Sequence, residues 1–111
     1  MNDIILHHYP GSPFAEKARC LLGYKQLAWH SVEIPLVMPK PDLVALTGGY
    51  RRTPVLQIGA DIYCDTALIA EVLERIAPLP SLFPEPVGGL SRILAQWADG
   101  PLFQAAVAHA Y

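Results

Sequence analysis

The period of the apolar positions changes along the chain, and each change marks an element. Asp3-Ile4-Ile5-Leu6-His7-His8 carries an unbroken apolar run, which predicts a strand buried at the centre of a sheet. Tyr9-Pro10-Gly11 is a turn. Ser12-Pro13 supplies a helix N-cap followed by proline at the first helical position. Phe14, Ala18, Leu21 and Leu22 then share a helical face, so the first helix runs to about Lys25. From Trp29 to Ile34 apolar and polar residues alternate, which predicts a second strand. Pro35, Pro39 and Pro41 break the chain, and Asp42 to Leu46 is expected to be a short helix ended by Thr47-Gly48-Gly49.

The clearest local grammar follows. Thr53-Pro54-Val55-Leu56-Gln57-Ile58, the short Gly59-Ala60-Asp61 and Ile62-Tyr63-Cys64 read as strand, turn and strand, hence a hairpin. Pro54 stands at the start of its strand, where the missing N–H does least harm. Asp65-Thr66 is expected to cap a helix whose apolar residues Ile69, Val72, Leu73 and Ile76 recur at helical spacing, ending near Ala77. The order is β-α-β, a linker helix, then β-β-α. The first β-α-β unit requires a parallel pair with a right-handed crossover. The hairpin adds an antiparallel pair, so the expected architecture is an α/β domain on a mixed four-stranded sheet over residues 1–77.

The stretch RRTPVLQIGADIYCDTALIAEVLE resembles the glutathione-binding half of the glutathione S-transferase N-terminal domain. Family members show Pro-Val-Leu, a hairpin, an acidic residue followed by Ser or Thr, and then an Ala-Ile helix start, all in this order and spacing. The resemblance implies a thioredoxin-like fold, in agreement with the element order. It also implies a protein that binds glutathione and favours its thiolate for attack on a small electrophile. Two other readings stand beside it: a non-catalytic glutathione-binding or scaffold module, and a glutathione-dependent thiol reductase.

The resemblance assigns roles residue by residue. Ser12-Pro13-Phe14 is similar to the serine-type classes, in which the serine donates a hydrogen bond to the glutathione sulfur; Ser12 as a plain N-cap is the alternative, and both can hold at once. Tyr9 competes for that role, its alternative being a strand-end aromatic packing against the linker. Thr53, Pro54 and Val55 would meet the cysteinyl main chain, with Pro54 in the cis form and the Val55 amide and carbonyl as pairing groups. Asp65 would take the γ-glutamyl ammonium, and Thr66 with the helix N-terminus its carboxylate. Lys40 is the candidate for the glycyl carboxylate, ahead of Arg51 and Arg52.

Composition narrows the remaining classes. The 111 residues carry a net charge of −2 with no basic run, which argues against nucleic acid. Charged residues are 16% and apolar ones 52%, yet no apolar run approaches the roughly 20 residues of a membrane span. Met1-Asn2-Asp3 lacks a signal-peptide start, so a cytoplasmic protein is expected. Cys20 and Cys64 form no Cys-x-x-Cys pair and are expected to be small buried hydrophobes. His7 and His8 adjoin on a strand and so face opposite ways, and His30 and His109 lack ligand spacing; no metal is expected.

Residues 78–89 hold Pro78, Pro80, Pro84 and Pro86 and read as a linker. Leu90, Ile93, Leu94 and Trp97 then form a helical stripe in 90–111, which Gly100-Pro101 is expected to interrupt before Leu102 to Ala110 resumes. In the family this is where an all-helical second domain begins, so a truncated product, an expressed piece or a proteolytic fragment is expected. A stripe of this kind promotes association, by simple dimerisation or by exchange of the last helix. Sedimentation at tens of micromolar should therefore show a dimer or larger species; a strictly monomeric protein would count against the reading.

Overall fold

The computed structural model describes residues 3–34 and 53–110. The chain divides into two units, Met1–Pro80 and Ser81–Tyr111. The first unit runs β1 (Ile4–His8), α1 (Pro13–Tyr24), β2 (His30–Glu33), β3 (Val55–Ile58), β4 (Asp61–Cys64) and α2 (Thr66–Ile76). Its sheet has the order β2-β1-β3-β4. β1 and β2 are parallel, and β3 is antiparallel to both β1 and β4. This is the mixed, thioredoxin-like sheet that the element order implied. The expected helix at 42–46 and the residues Lys40, Arg51 and Arg52 lie outside the described residues.

Alternation along β1 sorts the two faces. Ile4, Leu6 and His8 are buried while Ile5 and His7 are half-buried. Ile4, Leu6 and Leu56 pack with Ala18 and Leu22 of α1 and with Ile69, Val72 and Leu73 of α2, so both helices cover one face. The other face carries a smaller cluster of Ile34 and Val55, against which Tyr9, Ile62 and Cys64 pack. β2 is one of the two edge strands and is exposed along its length, including Val32, so alternation there marks a strand without a buried face.

Helix ends show how local chemistry sets the turns. α1 begins at Ser12, whose Oγ accepts from the Ala15 amide at 3.1 Å, with Pro13 next. It ends in a Schellman arrangement: Leu27 N–H donates to Leu22 O and Gln26 N–H to Gly23 O, both at 3.0 Å. Gln26 takes the left-handed position, φ 56°, that glycine usually fills. The hairpin closes through Gly59 and Ala60 alone, because Asp61 already pairs with Ile58; Gly59 supplies the required positive φ of 61°.

Cys20 departs from expectation. It is exposed, with its Sγ donating to Glu16 Oε1 at 3.5 Å. The inward positions of α1 are Ala15, Ala18 and Leu22; two residues past Ala18 lies about 200° round the helix, on the outer side.

In the second unit, α3 (Gly88–Trp97) continues through a π-helical stretch (Ala98–Leu102) into α4 (Phe103–Ala110). The expected interruption at Gly100-Pro101 is thus a widened turn. Pro101 lacks an N–H and clashes with an α-helical predecessor, and the chain accommodates it as Phe103 N–H reaches back five residues to Ala98 O. Leu90, Ile93, Leu94 and Trp97 are all exposed.

One buried charge holds the end of the first unit. The fully buried Lys25 Nζ donates to Glu74 Oε1 and to Pro80 O, each at 2.5 Å. Breaking a fully buried pair costs about 3–5 kcal/mol. Glu74 keeps some solvent, so Lys25→Met should cost about 2–3 kcal/mol, read from urea unfolding. A loss below about 0.5 kcal/mol would place this pair with ordinary surface contacts.

Candidate functional site

Register gathers the predicted residues. His7 pairs with Val55, and Val55 with Cys64. The end of β1, the start of β3 and the end of β4 therefore share one edge of the sheet. Ser12 follows β1 across a short turn, Thr53 and Pro54 precede β3, and Asp65 and Thr66 follow β4. Helices α1 and α2 both begin here and turn their positive ends to this edge. The structure thus brings Ser12, Thr53, Pro54, Val55, Asp65 and Thr66 to one end of the sheet.

Each residue is placed by identifiable bonds. Ser12 is buried, with its N–H donating to Tyr9 O at 3.2 Å and its carbonyl accepting from Glu16 N–H at 2.9 Å. Its Oγ accepts a cap hydrogen bond, yet a hydroxyl also carries a proton to donate. Capping and a donor role are therefore compatible at the same atom. Tyr9 packs against the Ile34 and Val55 cluster. The Thr53-Pro54 bond is cis, and Thr53 Oγ1 donates to His7 O at 3.3 Å. The ladders begin at Val55, which has a strand on either side, so Thr53 and Pro54 lie just beyond the pairing.

Asp65 does not cap α2 through its side chain. It occupies the N-cap position at φ 76°, ψ 128°, and makes no cap hydrogen bond; only its carbonyl accepts, from Ile69 N–H at 3.0 Å. Capping residues normally sit at negative φ, from which the side chain reaches back over the first turn. A non-glycine residue at this φ costs on the order of 1–3 kcal/mol, and such residues cluster where function demands them. Thr66, the first helical residue, is buried.

Cys64 adjoins Asp65. Burial and then the Asp65 carboxylate push its thiol upward, so it is protonated at neutral pH and a poor nucleophile. Among the described residues no group of three or more His, Cys, Asp or Glu could hold a metal ion. His7 and His8 point to opposite faces: His7 Nε2 bonds Gln57 Oε1 at 2.9 Å, whereas His8 is buried on the helix side.

Sequence reasoning missed a group at this edge. Arg19 donates to His8 Nδ1 at 2.8 Å, to Pro10 O at 3.2 Å and to Tyr9 O at 3.5 Å, while pairing with Glu16 at 2.7 Å. His8 Nε2 meets Ser31 Oγ at 2.6 Å, and Trp29 stands edge-on to its ring at 5.4 Å. The one available signal was spacing, since Arg19 follows Ser12 by two helical turns and shares its face of α1.

Comparison with known proteins bears on this arrangement. The family model described as "Glutathione S-transferase, N-terminal domain" matches residues 6–81. Pyrimidodiazepine synthase of Drosophila melanogaster is 32% identical over 76 residues, covering 65% of this chain and 31% of that protein. A GST-like protein from Pseudomonas syringae superposes with a TM-score of 0.94 at 58% identity, over all of this chain and 40% of that one. A glutathione transferase homologue from Burkholderia, solved with bound glutathione, gives 0.74 at 27% identity, over 94% of this chain and 59% of its own. The chain therefore spans less than two thirds of each of these proteins.

The site residues separate by stability. Ser12→Ala should lose about 1 kcal/mol with its cap. Asp65→Gly should be more stable than Asp65→Ala by about 1 kcal/mol, because only glycine takes this φ without a clash. Chemical denaturation of the three variants reads both; equal stability of the two Asp65 variants would remove the strain argument.

Proposed function

The chain belongs to the glutathione S-transferase family, whose N-terminal domain it carries over residues 6–81, and from that membership we propose that it binds glutathione at the edge where Ser12, Thr53 and Asp65 meet. The observation that supports this most is Asp65 itself. It holds a costly backbone conformation at a positive helix end without capping that helix. Its carboxylate is better explained by a cationic ligand than by the fold.

In this reading Asp65 accepts from the γ-glutamyl ammonium. The Thr66 hydroxyl and the α2 N-terminal amides donate to the adjacent carboxylate. The cysteinyl main chain lies along the Thr53-Pro54-Val55 corner like an added strand. Lys40 takes the glycyl carboxylate. The Ser12 proton is donated to the sulfur, which favours the thiolate over the thiol and raises its nucleophilicity. Transfer to a small electrophile is then the proposed activity of the whole protein. A scaffold that binds glutathione without turnover is the second reading. Thiol reductase chemistry is disfavoured by serine at position 12 and by the protonated Cys64. The exposed stripe of Leu90, Ile93, Leu94 and Trp97 supports self-association as the partner proposal. The proposed setting is the cytoplasm, where glutathione stays reduced.

Calorimetric titration with glutathione tests the site. Asp65→Ala should weaken binding about tenfold or more, the worth of a hydrogen bond between charged groups. Ser12→Ala should keep binding within a few fold and lose the thiolate absorbance of the bound ligand. Failure of the wild type to bind at millimolar glutathione would overturn the reading. Loss of binding in Ser12→Ala equal to that in Asp65→Ala would remove the assigned division of roles.

A further inference from the structure

Arg19 is placed to hold the turn that delivers Ser12. The carbonyl of Tyr9 accepts from the Ser12 amide at 3.2 Å and from the Arg19 guanidinium at 3.5 Å, and the carbonyl of Pro10 accepts from the same guanidinium at 3.2 Å. The fork is aimed from two sides. Glu16, on its own helix, pairs with one nitrogen at 2.7 Å, and His8 Nδ1 accepts from another at 2.8 Å.

A guanidinium only donates, so Nδ1 must present a lone pair. The imidazole is therefore neutral, with its proton on Nε2, donated to Ser31 Oγ at 2.6 Å. We propose that Arg19 is the positioning residue of the Ser12 corner and that neutral His8 is the proton-sensitive element that keeps Arg19 there. This rests on Ser12 facing the glutathione sulfur, and it adds to that role an acid-sensitive control of the same corner.

Protonation puts a hydrogen on Nδ1, which turns the acceptor into a donor and sets two cations against each other. Arg19 then loses one of its anchors, and its grip on the Tyr9 and Pro10 carbonyls weakens. The groups facing His8 act in both directions. Burial among Trp29 and the helix face lowers its pKa below the ordinary 6.5, Arg19 of α1 and His7 of β1 lower it further, and Glu33 of β2 raises it. The lowered pKa means that the folded state binds this proton less well than the unfolded chain. The clamp is thus fully present above about pH 6.5 and is lost as pH falls through the folded value.

Nitrogen-resolved magnetic resonance on the labelled protein, titrated from about pH 8 to about pH 5, tests this without a ligand. At neutral pH His8 should show the Nε2–H tautomer. The Gly11 and Ser12 amides should shift with the same midpoint as His8, below 6.5. In His8→Gln those amides should stay flat across the range. In Arg19→Gln the His8 midpoint should rise and the two amides should cease to follow it, which serves as the second test if His8→Gln fails to fold. A purely structural His8 would leave the amides insensitive to its titration, and that outcome overturns the proposal. So does an unchanged pH response in His8→Gln. Glutathione affinity should weaken with the same midpoint in the wild type and not in His8→Gln. Absence of glutathione binding at every pH overturns the ligand assignment alone, since the amide titration decides the clamp independently.

Discussion

His7, Val55 and Cys64 stand in one row across three strands, and that row organises the site. The antiparallel pairing of β3 with both neighbours brings the exit of β1, the entry of β3 and the exit of β4 to a common edge. Because side chains alternate with period two, a slip of one residue in β3 would turn Leu56 out of the helix-covered core and Val55 into it. The two-residue closure at Gly59 and Ala60 pins this register from the other end. Two helices then start at the same edge as a direct consequence of the topology.

That edge concentrates positive potential and donor groups from backbone and hydroxyl as well as from the Arg19 guanidinium. The first-turn amides of α1 and α2 and the Ser12 hydroxyl all point chemistry toward anions. Asp65 is the exception, an acid held at φ 76° beside a helix start it does not cap. Opposite polarities side by side suit a ligand that carries both an ammonium and carboxylates. The backbone strain at Asp65 is tolerated because β4 and α2 constrain the residue from both sides.

Arg19 of helix α1 and Lys25 at its C-cap act in different places. Arg19, in its second turn, gathers the Tyr9 and Pro10 carbonyls and His8 at the site edge. Lys25, at its C-terminal end, gathers Glu74 and the Pro80 carbonyl at the far end of the unit. One helix therefore sets both the corner that presents Ser12 and the point where the first unit ends. Each cation satisfies backbone carbonyls as well as a side-chain partner, and this is how buried charge is accommodated.

Much of this was legible in the amino-acid order, because it is local. An unbroken apolar run located β1, a short turn between two strand-like runs the hairpin, and helical spacing both helices, and Ser12-Pro13 announced the start of α1 through capping chemistry alone. The Thr53 to Thr66 grammar pointed to the candidate residues Thr53, Pro54, Val55, Asp65 and Thr66, which the register brings to one end of the sheet. Tertiary structure decided what depends on partners far along the chain. Alternation in β2 could not reveal an edge strand exposed throughout, and the outward turn of Cys20 followed from which stripe of α1 met the sheet. Asp65 reads as a cap, and only the geometry after β4 turns its side chain away from that task. The partners of His8, Arg19 and Lys25 lie across turns, strands and helices that periodicity does not connect. A sequence encodes the propensity of each segment, whereas the pairing of a buried charge or ring is settled only when those segments pack.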